Sequence, residues 1–191
     1  MFRPTHFVLG AIVVTALATS SIAAQAPYSP DRATALEMRK EFLTELDSLH
    51  SKFMQLAEAF PADKYAWRPA PGVRSVGEVF MHVASEYYYW TPAVFGAVPS
   101  SAVEANKAGF EKFEKMSSKP EVLKHLQEGF AYGRQAVAAL DEAKITGIHK
   151  IFKRDTQVIE ESIDMMGDLN EHLGQLIAYA RMNGVKPPWS K

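Results

Sequence analysis

The chain has 191 residues, a formal net charge of −1 and no cysteine. These facts exclude a disulfide framework, a catalytic thiol and any thiolate metal site. With no block of lysines or arginines, they also argue against a nucleic-acid partner.

The chain opens MFRPTHFVLGAIVVTALATSSIAAQA. Arg3 supplies a short positive start, residues 7–18 are nearly all apolar, and Ala24-Gln25-Ala26 is a small-x-small cleavage pattern. Residues 1–26 are therefore expected to be a cleavable secretory signal peptide. The alternative is an uncleaved anchor, but the apolar run falls short of the ~20 residues that span a bilayer. Cleavage removes only Arg3 among the charged residues and leaves residues 27–191 at a net −2. That length suits one domain with its own core. The mature protein is expected to be periplasmic or secreted, with no stable membrane span.

Apolar residues then recur at helical spacing, and no period-2 run stands out. The first helix is expected over residues 30–59, with Ser29 as its cap and a stripe of Phe42, Leu46, Leu49, Phe53, Leu56 and Phe60. Three prolines and a glycine in PADKYAWRPAPGVR (61–74) stop it, and Tyr65 and Trp67 are expected to be pinned against the domain. Ser75 and Glu78 form a capping box for a second helix that carries Val76, Val79, Phe80, Val83, Tyr87 and Trp90 and ends before Pro92. Residues 97–117 read as a linker with a short helix near 106–115. A third long helix is expected from about Ser118 to Lys144, a connection over 145–155, and a fourth from about Thr156 to Asn183. Gly184 is its left-handed cap, with Pro187-Pro188 beyond. Four long amphipathic helices predict an all-α four-helix bundle, and the long linker permits a crossover between helices two and three.

Among the histidines, His149 reads as solvated, His125 as near an outer face, and His50 as a core residue on the first helix's stripe. His82 and His172 differ. At 100° per residue, each lies about 60° from an apolar neighbour, Val79 and Leu169, at the border of its helix's stripe. Glu78 and Glu86 lie one turn either side of His82, and Asp168 one turn before His172. Facing helices build metal sites from such flanks. Two imidazoles and a carboxylate suit a divalent ion with open positions. Half-wet helix borders also carry these residue types without any ion. In Tyr87-Tyr88-Tyr89-Trp90, Tyr87 and Trp90 read as core and groove lining rather than as a ligand box.

WRPAPGVRSVGEVFMHVASEYYYW (67–90) and EHLGQLIAYARMNGVKPPWS (171–190) resemble the DinB-like (DinB/YfiT) four-helix bundle superfamily, in its secreted or periplasmic branch. The resemblance covers about residues 35–191. It implies a bundle with a crossover between the second and third helices. It also implies a divalent metal, zinc, nickel, manganese or iron, held by one histidine of the second helix and two, four residues apart, of the fourth. His82 and His172 match the outer positions, and Asp168 stands at the middle one. The implied ligand set is thus His82, Asp168 and His172. Aspartate can replace histidine as a ligand, but it is shorter and can also lose the ion. Characterised relatives include enzymes that transfer thiol cofactors and a thiol-dependent isomerase.

The leading expectation is a metal-dependent enzyme of the exported compartment, of hydrolase or thiol-transferase type, acting on a small-molecule substrate. Glu86 or Glu78 would support the site or move a proton. The alternatives are a non-catalytic small-ligand module and an interaction bundle that forms homodimers, each with a degenerate metal site.

Overall fold

A computed structural model describes residues 30–190. The expected signal peptide lies outside the described residues. The elements are α1 (Arg32–Ala59), a single 3-10 turn (Ala62–Lys64), α2 (Val76–Phe95), α3 (Lys107–Glu114), α4 (Lys119–Ala138), α5 (Glu142–Thr146), β1 (Ile148–Ile151), β2 (Arg154–Gln157) and α6 (Val158–Met182).

The four long helices pack around one core, with α1 and α2 each lying against both α4 and α6. Chain directions follow from side-chain partners. Asp47 of α1 pairs with Arg134 of α4, and Lys119 at the other end of α4 donates to the Glu58 and Phe60 carbonyls, so α1 and α4 are antiparallel. Gly77 lies against Ser117, and Gly133 against Thr91, so α2 and α4 run parallel. Tyr179 reaches Arg74, and His172 meets His82, so α2 and α6 are antiparallel. The order is up-down-down-up, and the segment from 96 to 118 is the expected crossover, with α3 inside it.

The capping box of α2 is present, with Glu78 N–H donating to Ser75 Oγ at 3.2 Å and Ser75 N–H to Glu78 Oε2 at 2.8 Å. The preceding loop satisfies two further amides of that helix end, Val76 N–H to Trp67 O and Gly77 N–H to Tyr65 O. Tyr65 is buried and donates to Ala57 O at 2.6 Å. Trp67 packs edge-on against Tyr179. Both are pinned against the domain, as expected. At the far end of the chain, Gly184 has φ of +70°, its N–H donates to Arg181 O, and Val185 N–H donates to Ala180 O. That is a Schellman closure, which favours glycine at the left-handed position.

Six boundaries and environments differ from expectation. The α1 cap is Asp31, whose Oδ1 accepts from Thr34 N–H at 2.8 Å, two residues beyond Ser29. Helix α2 continues through Pro92 to Gly96 at φ +75°. The proline costs one helical hydrogen bond near the end, while Val94 and Phe95 remain buried and hold the last turn. The third long helix stops at Ala138, and Asp141 caps the separate short α5 by accepting from Lys144 N–H. The 145–155 connection forms most of an antiparallel hairpin with register Ile148↔Gln157 to Ile151↔Arg154. Its turn residues Phe152 and Lys153 both have positive φ. Phe152 stacks on Tyr89 and meets Trp90 edge-on, which docks the hairpin on α2. Finally, His125 is buried against Phe113 rather than near an outer face, and His149 is half-buried with Nε2 2.9 Å from Lys144 O. His50 is a core residue as expected, stacked on Phe130 at 3.7 Å. In the aromatic run, Tyr87 and Tyr88 are buried and Tyr89 is exposed.

Candidate metal centre

The face of α2 that follows the capping box carries His82 and Glu86, one turn apart. The antiparallel α6 brings Asp168 and His172, also one turn apart, to the same level. The two imidazole rings lie edge to face with centroids 4.7 Å apart. Glu86 sits between them. Its Oε1 is 3.2 Å from His82 Nε2 and 3.3 Å from His172 Nε2. One ligand atom from each of His82, Glu86 and His172 falls within a 4.8 Å cluster. Asp168 Oδ1 is 3.6 Å from His172 Nε2, on the more open side.

Both Glu86 oxygens are buried, yet neither has a hydrogen-bond partner of acceptable alignment. A buried carboxylate in that condition is costly unless a cation meets it. Two imidazoles and carboxylate oxygens, with no sulfur, form a donor set that suits a first-row divalent ion. The residues present fit the metal that the family resemblance implies.

The other face of each imidazole is tied. His82 Nδ1 lies 2.7 Å from Glu114 Oε1, and Arg74 Nε donates to Glu114 Oε2 at 3.2 Å. His172 Nδ1 lies 3.3 Å from Gln175 Oε1, and Gln175 Nε2 donates to Tyr179 Oη at 2.9 Å. Tyr179 Oη in turn donates to the Arg74 carbonyl at 3.4 Å. A continuous polar chain therefore joins the two Nδ1 atoms around the outside of the site.

These neighbours set the charges. Burial lowers the His82 pKa, but the Glu114 and Glu86 carboxylates outweigh it and raise it to about 9. Burial pushes the Glu86 carboxyl up, while the close His172 and His82 imidazoles outweigh it and hold it at about 2. The Glu86 carboxylate raises His172, with burial opposing. Asp168 is pushed up to about 6, by burial first and then by the Glu86 charge, with the imidazoles only partly compensating. Perturbation of this kind concentrates where chemistry is done.

Of the residues singled out in the sequence, the structure brings together His82, His172 and Glu86, with Asp168 at the margin. Glu78 is elsewhere: beyond its cap role it pairs with Lys115 at 2.8 Å and Arg68 at 3.1 Å. Glu114 was not singled out. Its only signal was its place on the short helix expected within the crossover.

A family model described as the DinB superfamily matches residues 45–176. The chain belongs to the DinB superfamily. A crystal structure of a DinB-like protein from Bacillus cereus ATCC 10987 superposes with a TM-score of 0.64 at 15% identity, covering 80% of this chain and 97% of that one. At that identity the likeness shows the fold. Comparison with curated proteins finds no match. No helix among the described residues is long and apolar enough to cross a membrane.

Proposed function

We propose that the protein is a metal-dependent enzyme of the exported compartment, holding a divalent ion with His82, Glu86 and His172, and with Asp168 as a further ligand or proton acceptor. The observation that carries this reading is the buried Glu86 carboxylate, lying between two imidazole Nε2 atoms without an aligned hydrogen bond. Such an ion supplies Lewis acidity and lowers the pKa of a bound water or thiol. The chain's own residues do the rest. His82 and His172 present their Nε2 atoms from two helices, and Glu86 adds charge from the buried side. Asp168, 3.6 Å from His172 Nε2 on the more open side, offers carboxylate oxygens that can accept and return a proton. Hydrolysis and thiol transfer to a small electrophile both fit this arrangement. Export rests on the N-terminal sequence, with residues 1–26 as signal peptide and 27–191 as the mature bundle domain.

The test is metal content by mass spectrometry on untagged protein, with His82→Ala, Asp168→Asn and Asp168→His beside it. Stoichiometric metal in the wild type, lost in His82→Ala, supports the reading. Metal retained in Asp168→Asn assigns Asp168 to proton transfer, and metal lost there assigns it as a ligand. No metal in the wild type, even after incubation with zinc, but metal in Asp168→His, replaces the enzyme with a binding module whose site has decayed.

A further inference from the structure

The crossover helix α3 does more than connect the two halves of the bundle. It ends on Glu114, whose two oxygens face different elements. Oε1 lies 2.7 Å from His82 Nδ1, and Oε2 accepts from Arg74 Nε at 3.2 Å. The carboxylate is largely shielded, with its side chain 18% exposed. Arg74 is anchored in turn, because its carbonyl accepts from Tyr179 Oη on α6. The His82 ring thus meets carboxylates at both nitrogens, Glu114 at Nδ1 and Glu86 at Nε2.

We infer that Glu114 is the positioning residue of the metal centre: by accepting a hydrogen bond from the Nδ1–H of His82, it fixes the ring so that the Nε2 lone pair points at Glu86 and His172. This rests on the metal reading above. The chemistry is general. An imidazole that binds an ion through one nitrogen gains basicity and a fixed tautomer when its other N–H meets a carboxylate. Nothing else in the structure performs this for His82, since its Nδ1 has Glu114 as its sole hydrogen-bond partner among the described residues. His172 has only the neutral, longer contact to Gln175, at 3.3 Å. The two imidazoles are therefore unequal, and His82 is the more firmly placed of the pair. The arrangement also gives the crossover a purpose, because it is the crossover that delivers a carboxylate to the outer side of α2.

The test uses zinc as the probe on the full mature chain, with Glu114→Ala, Glu114→Gln and Arg74→Ala. Zinc affinity is read by competition with a chromophoric chelator, and the His82 Nδ1 proton by NMR of imidazole-labelled protein in the zinc-loaded state. Thermal melts report the fold. Glu114→Ala is expected to lower zinc affinity roughly 10–100-fold, and the slowly exchanging Nδ1 proton signal is expected to vanish. Glu114→Gln, whose amide oxygen still accepts, should recover most of the affinity, which a purely structural role would not require. Arg74→Ala should fall between the wild type and Glu114→Ala. Wild-type affinity in a folded Glu114→Ala, or no recovery by glutamine when both variants melt alike, would overturn the inference. Absence of zinc binding by the wild type overturns the metal reading and the inference with it. Zinc binding that is indifferent to Glu114 overturns the inference alone.

Discussion

At the scale of single residues, the site balances groups that want opposite charges. Glu86 is stable as an anion because two imidazoles face it, and Asp168 is less so, because it is partly buried and Glu86 already supplies a negative charge beside it. The signs can be worked through. His82 has a folded pKa of about 9, above its ordinary 6.5. Its ion pairs therefore stabilise the metal-free protein fully below pH 6.5 and are lost as pH rises through 9. Glu86, held at about 2 against 4.5, contributes above pH 4.5 and loses its contribution as pH falls toward 2. Asp168, raised to about 6 from 3.8, does the reverse of Glu86 and imposes a cost that grows between about pH 4 and 6 and persists above. Replacing it with asparagine should thus stabilise the metal-free protein at pH 7 and leave it unchanged at pH 3.5. Asp168's side chain is 40% exposed. The gain should therefore be about 1 kcal/mol or less, since solvent screens much of the repulsion. Denaturant melts at the two pH values check this. An equal effect at both would show that packing, not charge, governs Asp168. The same protonation makes metal binding pH-dependent. Zinc must displace the Nε2 proton of His82, so its affinity should rise at least about tenfold per pH unit from pH 6 to 8, and the raised His172, which also binds through Nε2, adds to that slope. Chelator-buffered titrations at three pH values measure the slope. A flat profile would mean that no proton leaves, contrary to a raised His82.

At the scale of elements, what was legible in the sequence was whatever a single helix encodes. The capping box, the α1 stripe, the Gly184 closure and the His82/His172 flanks all follow from spacing within one segment. Glu86 was visible as a turn-mate of His82, but its central position depends on how α6 docks, and periodicity carries no such information. Glu114 was invisible for the same reason, being 32 residues from the histidine it holds. The hairpin was missed because its turn breaks the usual chemistry. Phe152 and Lys153 adopt φ of 47° and 67° where asparagine and glycine are expected. The aromatic packing of Phe152 on Tyr89 and Trp90 offsets that strain, and four-residue strands are too short to show alternation. His125 was misplaced because its burial comes from α3, which covers that side of α4 through Phe113. The elements also make a prediction at Gly77. A Cβ there would run into the Ser117 carbonyl oxygen, a backbone atom with little room to move. Gly77→Ala should cost about 1–3 kcal/mol by overpacking, and should also weaken zinc binding, because the end of the crossover that carries Glu114 would be displaced. A denaturant melt beside a zinc titration reads both effects. A variant with wild-type stability would mean that the crossover is not seated against α2 there.

At the scale of the whole molecule, the up-down-down-up order explains why a metal centre can form here at all. Antiparallel α2 and α6 bring two separate i, i+4 pairs to one level, and the crossover returns the chain past the outer side of α2 before α4 begins. The linker length only permitted a crossover between the second and third long helices; it was the family resemblance that implied one. The assembled site was not legible in either, because it exists only where three elements meet. The central claim is that His82, Glu86 and His172 bind one ion together. The most direct test is a crystal structure of the zinc-loaded protein, with anomalous differences collected on either side of the zinc edge. The account predicts a single strong peak about 2.0–2.2 Å from His82 Nε2, His172 Nε2 and a Glu86 oxygen. A peak elsewhere, or none in fully zinc-saturated crystals, would contradict it.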